Sequence, residues 1–460
     1  VYGGSYGGYL TRVNHKNNSE RGINVWPDNP MGYGAEGMKY RFQWNFPVFF
    51  SPHNSKKMYA FSNHVHVTEN EGQSWEIISP DLTRNVPEKL KSSGGPITQD
   101  NTGVEYYCTL FAGGESNLKS GLIWVGSDDG LIHLTKDGGK TWTNVTPKNM
   151  PEWMMINSID PSPFDPGTCY VAGTKYKTGD FKPYLYRTEN YGMTWELITN
   201  NIKNENFTRV LRADPARKGL LYAGTESGLY ISFDDGNSWK PFQQNLPIVP
   251  ITDLTIKDNS LIVATQGRSL WMIDDLTVLH QLPNSNKNPY LFKPKPTYRL
   301  RGSGGKSSLT MGTNKPNGVE VHFYIPSYNK GSDKVELSFH DEKGNEIRKF
   351  STSDDDNKLE VKDGGNIFVW DYKYPGAERF DGMVMWSASL NGAKAVPGTY
   401  QVRLSVNNSE FENSFEILRA RTSESTVDQM REQFNFVNQI NKTLSKAHQS
   451  IKKIRKTKLK

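Results

Sequence analysis

One eight-residue template, hydroxyl, any, Asp or Asn, any, Gly, any, hydroxyl, Trp, occurs four times in this chain: Thr68–Trp75, Thr135–Trp142, Thr188–Trp195 and Ser232–Trp239. Equivalent segments must occupy equivalent places, so an internal repeat constrains the fold before any other feature does. The four tryptophans are separated by 67, 53 and 44 residues. The shortest interval matches the roughly 40–50 residues of a four-stranded propeller blade, and the longer ones imply loop insertions. Short alternating runs flank each copy, as in residues 121–126 and 131–135 before the third-strand turn and 142–146 after it. Bounded by Gly and Asp, these read as strands.

Two further units lack the template. Residues 1–27 read as the later strands of a blade, and residues 251–280 supply three more strand-like runs. The fold expected is all-β: a β-propeller over residues 1–283, with about six blade units visible, the first incomplete, and seven when complete. The chain opens at Val1 in strand-like sequence, so upstream sequence is expected to close the ring. A Pro/Asn/Lys linker covers 284–296, and a small β-sandwich covers 297–419, with hairpin signals at Asp341–Asn345 and Asn407–Asn408. From 420 to 460 the chain reads as an amphipathic helix with Ser425 to Asp428 as its N-cap signal. Met430, Val437, Leu444 and Ile451 recur every seven residues, with Ile440, Ala447 and Ile454 beside them. That seam predicts a partner helix, expected past Lys460.

The net charge of +6 is local: residues 441–460 hold eight Lys or Arg and no acid, leaving −2 for the rest. A nearly neutral body argues against nucleic acid as a partner, and the lysines read as a solvated helix face. No apolar run reaches the ~18 residues of a membrane span. Cys108 and Cys169 carry no metal spacing and read as buried small hydrophobes. No cofactor and no metal is expected.

The template itself reads as a hairpin turn. The Asp or Asn oxygen accepts turn N–H groups, Gly supplies a left-handed conformation, and Trp packs inward. Asn70 and Asn190 can accept those bonds but cannot act as catalytic carboxylates, so Asn70, Asp137, Asn190 and Asp234 are assigned to structure.

The four turns resemble the Asp-box (BNR) repeats of sialidases, sortilin-type propellers and tandem-propeller xyloglucanases. Residues 40–45, 79–84, 126–130 and 265–271, with Asn366–Gly376 and Pro397–Tyr400, are similar to long exported bacterial proteins labelled sortilin-like or BNR-repeat glycosyl hydrolases. The resemblance implies an Asp-box propeller followed by an Ig-like domain, and a secreted or cell-surface location in the outer envelope of a Gram-negative bacterium. Association with an outer-membrane complex would follow from it. A sialidase would need an arginine cluster that Tyr40-Arg41-Phe42 does not supply.

In propellers the hairpins between the last two strands point to one face and ligands sit on the other, so the boxes direct attention away from themselves. The opposite face is expected to carry Asp128, Glu226 and Glu105 as candidate catalytic carboxylates, and Trp26, Tyr33, Trp44, Trp153, Tyr176 and Arg268 as ligand-binding residues. Flat aromatic faces beside acceptors suit sugar rings. A glycosidase further needs two carboxyl groups about 5–9.5 Å apart. Two functions follow: a binding or scaffold module for a protein partner or a glycan, which the lack of any identifiable nucleophile favours, or a glycoside hydrolase acting on a polysaccharide.

Overall fold

The computed structural model describes residues 1–29, 32, 34–102, 107–283, 287–300, 312, 315–385, 387 and 389–458. It is nearly all-β, built of small antiparallel sheets, and divides into two compact units, Val1–Leu276 and Thr277–Lys460. Among the described residues no helix is long and apolar enough to cross a membrane.

The first unit is a propeller-like series of six sheets met in chain order. The second to fifth are four-stranded meanders: Val48–Phe50, Met58–Phe61, Val65–Thr68 and Glu76–Ile77; Leu110–Glu115, Ile123–Ser127, Ile132–Thr135 and Thr143–Asn144; Met155–Pro161, Cys169–Lys175, Asp180–Thr188 and Glu196–Leu197; Thr208–Ala213, Leu221–Thr225, Gly228–Ser232 and Lys240–Pro241. The first sheet has three strands (Tyr2–Gly4, Leu10–Asn14, Ser19–Gly22), and so does the sixth (Ile251–Lys257, Ser260–Thr265, Leu270–Ile273). A shared hydrogen bond aligns them. The N–H of Ile23 donates to Leu10, as Ile78 does to Val65, Val145 to Ile132, Ile198 to Leu185 and Phe242 to Leu229. The first sheet therefore holds the second, third and fourth strand positions of the repeat.

The apolar core lies between sheets rather than within one. Tyr59, Phe61 and Val65 of the second sheet pack with Leu110, Ile123 and Val125 of the third. Trp124 and Leu134 of the third pack with Ile156, Cys169 and Val171 of the fourth. Leu185 and Tyr170 of the fourth pack with Leu211, Leu221 and Ala223 of the fifth. The third and fourth sheets are thus buried on both faces, which explains why their strands read as continuous apolar runs. A bulge early in the first strand of the third to sixth sheets shifts register at Leu110/Ala112, Ile156/Ser158, Thr208/Val210 and Ile251/Asp253. Opposite it stands a small residue. A Cβ on Gly126 would lie 2.4 Å from Ile156, and one on Gly224 would lie 2.6 Å from Ile251, both in the next sheet.

The second unit begins at the short helix Thr277–Gln281, seven residues before the sequence boundary at 284. Gln281 explains this: its amide donates to the Lys293 carbonyl (3.0 Å) and accepts the Lys293 N–H (2.7 Å). A three-stranded sheet (Tyr290–Leu291, Val319–Ile325, Gly364–Trp370) and a five-stranded one (Thr297–Arg299, Val335–His340, Glu346–Ser351, Gly398–Val406, Ser409–Arg419) share one core. Inward residues alternate along residues 319–325, Phe339 stacks on Trp370 at 4.6 Å, and Tyr400 Oη donates to the Val396 carbonyl at 2.7 Å.

The helix Val427–Lys458 corrects one expectation. Its capping box is one residue later than Ser425–Asp428: Gln429 N–H donates to Thr426 Oγ1 and Gln429 Oε1 accepts the Thr426 N–H (3.2 and 2.9 Å). The longer Gln side chain reaches back where Asp428 is too short. Within the unit the helix packs on Tyr374, Glu378 and Asn391. Phe434 meets Tyr374 (4.7 Å), Asn441 bonds Asn391, and Ser445, His448, Gln449 and Lys452 all engage Glu378. Ile440 and Ile454 of the companion row stay exposed.

Candidate functional site

Each of the four templates closes as one hydrogen-bonded unit. The first hydroxyl (Thr68, Thr135, Thr188, Ser232) donates to Oδ1 of the Asn or Asp and accepts the N–H of the Gly. The same Oδ1 accepts the N–H of the second hydroxyl residue at 2.9–3.0 Å. The two residues before the second hydroxyl's approach, Glu71-Gly72, Gly138-Gly139, Tyr191-Gly192 and Asp235-Gly236, are all left-handed. Trp Nε1 then reaches back to the preceding sheet: Trp75 to the Ile23 carbonyl, Trp142 to Ile78, Trp195 to Val145 and Trp239 to Ile198, at 2.7–3.0 Å. The template glycine leans on that same residue. A Cβ on Gly72, Gly139, Gly192 or Gly236 would collide with Ile23, Ile78, Val145 or Ile198 respectively, at 2.5–2.6 Å. Three of these four receptors stand three residues after a template Trp, a sequence regularity that extends the template and was available to be read.

The turns between second and third strands carry the candidate residues. Asp128 is enclosed: Oδ1 accepts the N–H groups of Cys108 and Thr109 (3.0 and 2.9 Å), Oδ2 accepts Thr109 Oγ1 (2.6 Å) and Gln43 Nε2 (3.4 Å), and the residue is 2% exposed. Burial pushes its carboxyl up to about 7, against the downward pull of the Thr109 bonds. Such a shift marks general acids when the group faces a cleft; here every oxygen is spoken for by the protein. Asp129 accepts Ser127 Oγ (2.5 Å) and the Arg84 N–H (2.7 Å). Next to them Arg41, also buried, joins the Cys108 carbonyl (2.9 Å), Asp81 (2.7 Å) and Thr83 (3.2 Å), and Asn63 donates to Asp81 at 2.9 Å. Three segments singled out in the sequence, 40–45, 79–84 and 126–130, therefore meet in one polar network that also holds Cys108 and Thr109.

Glu226 and Tyr176, distant in sequence, come together. The Arg209 guanidinium binds Glu226 Oε2 (2.7 and 2.6 Å) and lies 5.5 Å from the Tyr176 ring and 5.1 Å from Phe207. Tyr176 stacks on Phe207 at 4.8 Å with 16° between planes, and Phe181, half-exposed, adds a tilted ring at 6.1 Å. The enlarged hairpin after Cys169–Lys175 makes this possible: a single turn, Tyr176–Thr178, closed by left-handed Gly179, lifts Tyr176 over the next sheet. Beside it, Trp153 receives the Arg84 guanidinium (5.1 Å) and Lys89 (5.6 Å) over its ring, with Tyr107 edge-on at 6.4 Å. Burial, then the charges of Asp128 and Tyr176, raise the Tyr107 phenol. Phe207, Arg209, Phe181 and Tyr107 were not anticipated; the hairpin register that pairs Thr208 with Thr225 is the signal that would have brought Arg209 to Glu226.

The other candidates are scattered. Trp26 lies in a small groove with Tyr40, His66, Ser74 and Trp75, beside a template turn rather than opposite it, and carries Lys39 Nζ 3.4 Å above its ring. Trp44 packs on Tyr6 at 5.1 Å. Arg268 is exposed, its carbonyl accepting Trp271 Nε1. Tyr33 and Glu105 lie outside the described residues. Among the described residues no cluster of three or more His, Cys, Asp or Glu could hold a metal ion, and Cys108 and Cys169 are buried free thiols.

No protein-family model matches the sequence. A stretch of 108 residues, 23% of the chain, is 25% identical to an oligoxyloglucan reducing-end-specific xyloglucanase of Emericella nidulans and spans 13% of that enzyme. Among solved structures, a GH74 xyloglucanase from Xanthomonas campestris aligns with a TM-score of 0.43 at 15% identity, over 60% of this chain and 43% of its own. YCF48 bound to a D1 peptide aligns at 0.40 and 18% identity, over 60% of this chain and 75% of its own. YCF48 from Cyanidioschyzon merolae aligns at 0.40 and 12%, over 58% and 76%. At such scores the likeness assigns no activity.

Proposed function

We propose that the first unit is an Asp-box β-propeller whose six sheets are blade units of a ring with seven when complete, that the second is an Ig-like sandwich with a docked helix, and that the protein is exported and binds a protein partner or glycan. The observation that carries this reading is the platform of Tyr176, Phe207, Phe181, Arg209 and Glu226. Stacked rings offer a flat apolar face, and the Arg209–Glu226 pair offers donors and an acceptor at its rim, the combination that holds sugars or polar peptides without chemistry. Asp128 and Asn70, Asp137, Asn190 and Asp234 are read as structural. A glycan and peptide binding screen with Phe181→Ala and Tyr176→Ala tests the site. Loss of about tenfold or more in affinity is expected, since each ring contributes on the order of 1–2 kcal/mol; unchanged binding in both variants refutes it.

A second reading, hydrolysis of a polysaccharide, draws on the 108-residue xyloglucanase match. It requires a second carboxyl group about 5–9.5 Å from Glu226. Hydrolysis of a xyloglucan panel that disappears in Glu226→Gln, with binding retained, would replace the binding-module reading by this one.

A further inference from the structure

In the second unit a cavity of about 1250 Å³ opens beside the edge strand Thr297–Arg299. Its lining joins the apolar Met430, Phe434 and Val437 of the helix and the Tyr372 ring to Arg299 and Lys394, with Lys394 Nζ 5.9 Å over the Tyr372 ring. The lining carries four cationic residues, Lys295, Arg299, Lys315 and Lys394, against two acids, Glu320 and Glu424, a net positive wall. Arg299 Nε is buried without a hydrogen-bond partner. Among the described residues neither Arg299 nor Lys394 has an ion pair. The nearby acid, Asp371, is already engaged by Lys373 at 2.8 Å and Arg348 at 3.9 Å. Burial, then the charges of Arg299 and Lys373, hold the Lys394 amine below the usual lysine range, and burial lowers Arg299. Two partly buried like charges and an unsatisfied guanidinium donor are costly unless a counter-ion arrives to compensate them.

We infer that this cavity binds an organic anion, its carboxylate or phosphate held between Arg299 and Lys394 and its apolar body against Tyr372, Met430, Phe434 and Val437. The planar guanidinium presents paired donors to either oxyanion, and the ammonium adds a point charge. The propeller reading plays no part in this assignment.

The full chain is titrated calorimetrically at fixed ionic strength with 3-phenylpropionate, phenyl phosphate and the neutral 3-phenylpropanamide. At least one anion is expected to bind about tenfold or more tightly than the amide, as charge-assisted hydrogen bonds require. The preferred anion tells carboxylate from phosphate sources. Lys394→Gln and Arg299→Gln should each weaken it about tenfold, while Lys394→Arg, which keeps the charge, should retain it and controls for folding. Equal binding of acid and amide, no saturation by either anion up to about 10 mM, or anion affinity unchanged in Lys394→Gln would overturn the assignment.

Discussion

The second hydroxyl of each template explains why Asp and Asn interchange at its third position. Facing Asp, it donates: Thr141 Oγ1 to Asp137 Oδ2 and Ser238 Oγ to Asp234 Oδ2, both at 2.6 Å. Facing Asn, it accepts: Asn70 Nδ2 to Ser74 Oγ and Asn190 Nδ2 to Thr194 Oγ1, both at 2.8 Å. A hydroxyl can do either, so the turn survives the exchange. Asp137→Asn should accordingly leave thermal stability almost unchanged, whereas Asp137→Ala should lower it by removing the acceptor of the Thr141 and Thr135 bonds; equal losses would contradict the exchange. The Thr141 and Thr135 bonds hold the Asp137 carboxyl down to about 2, so this contribution is complete above the ordinary Asp range and disappears only as pH falls toward 2. His66 behaves differently. Burial, with His64 nearby, lowers it to about 3. Between about 6.5 and 3 the unfolded chain takes up a proton that the folded chain refuses, so His66 contributes less stability as pH falls, by up to roughly 1.4 kcal/mol per pH unit. Denaturation of wild type and His66→Phe across pH 4–7 should give curves that converge toward acid; parallel curves would exclude this.

At the scale of elements, two adjacent glycines make a controlled comparison. Gly138 and Gly139 are both left-handed (φ 75° and 96°), but a Cβ on Gly138 meets nothing within 4 Å, whereas one on Gly139 lies 2.5 Å from the Ile78 carbonyl oxygen. Gly138→Ala should cost about 1 kcal/mol of backbone preference, and Gly139→Ala clearly more, because the third sheet must also move off the second. Equal effects in chemical denaturation would remove the inter-sheet clamp from the account. The helix gives a second test. The Glu378 carboxylate holds Gln449 and Lys452, while its backbone N–H and carbonyl hold Ser445 and His448. Glu378→Ala therefore removes only the first two and should speed amide exchange over residues 449–458 while leaving 427–448 protected; uniform change would mean that the carboxylate does not hold the end of the helix. These elements show what sequence reading reaches. The template turns are legible because their bonds close within eight residues. Their receptors, Ile23, Ile78, Val145 and Ile198, belong to the previous sheet and need tertiary structure to be seen, although the spacing of three after Trp hints at them. The heptad pattern correctly marks an apolar helix face but carries no information on what covers it. Asp128 reads as a candidate catalytic carboxylate in the sequence because its enclosure comes from Gln43, Cys108 and Thr109, residues that sequence separation hides.

Across the whole molecule, the two units have separate cores, one shared between successive sheets and one enclosed by two sheets. Calorimetry should therefore resolve two transitions, and Trp239→Phe, which removes the bond to Ile198 from a residue 1% exposed, should lower one of them by several degrees and leave the other in place. A single transition displaced as a whole would require a coupling between the units. The direction of the tryptophan bonds has a further consequence. Each of the four template indoles reaches from a later sheet to an earlier one, so each completed sheet presents a ready latch for the segment that follows it. A chain built from its N-terminus can then settle one meander at a time during synthesis, each new turn snapping onto its predecessor without waiting for distant sequence. The unit is put together like a ratchet, and its order of assembly is written in which neighbour each indole holds.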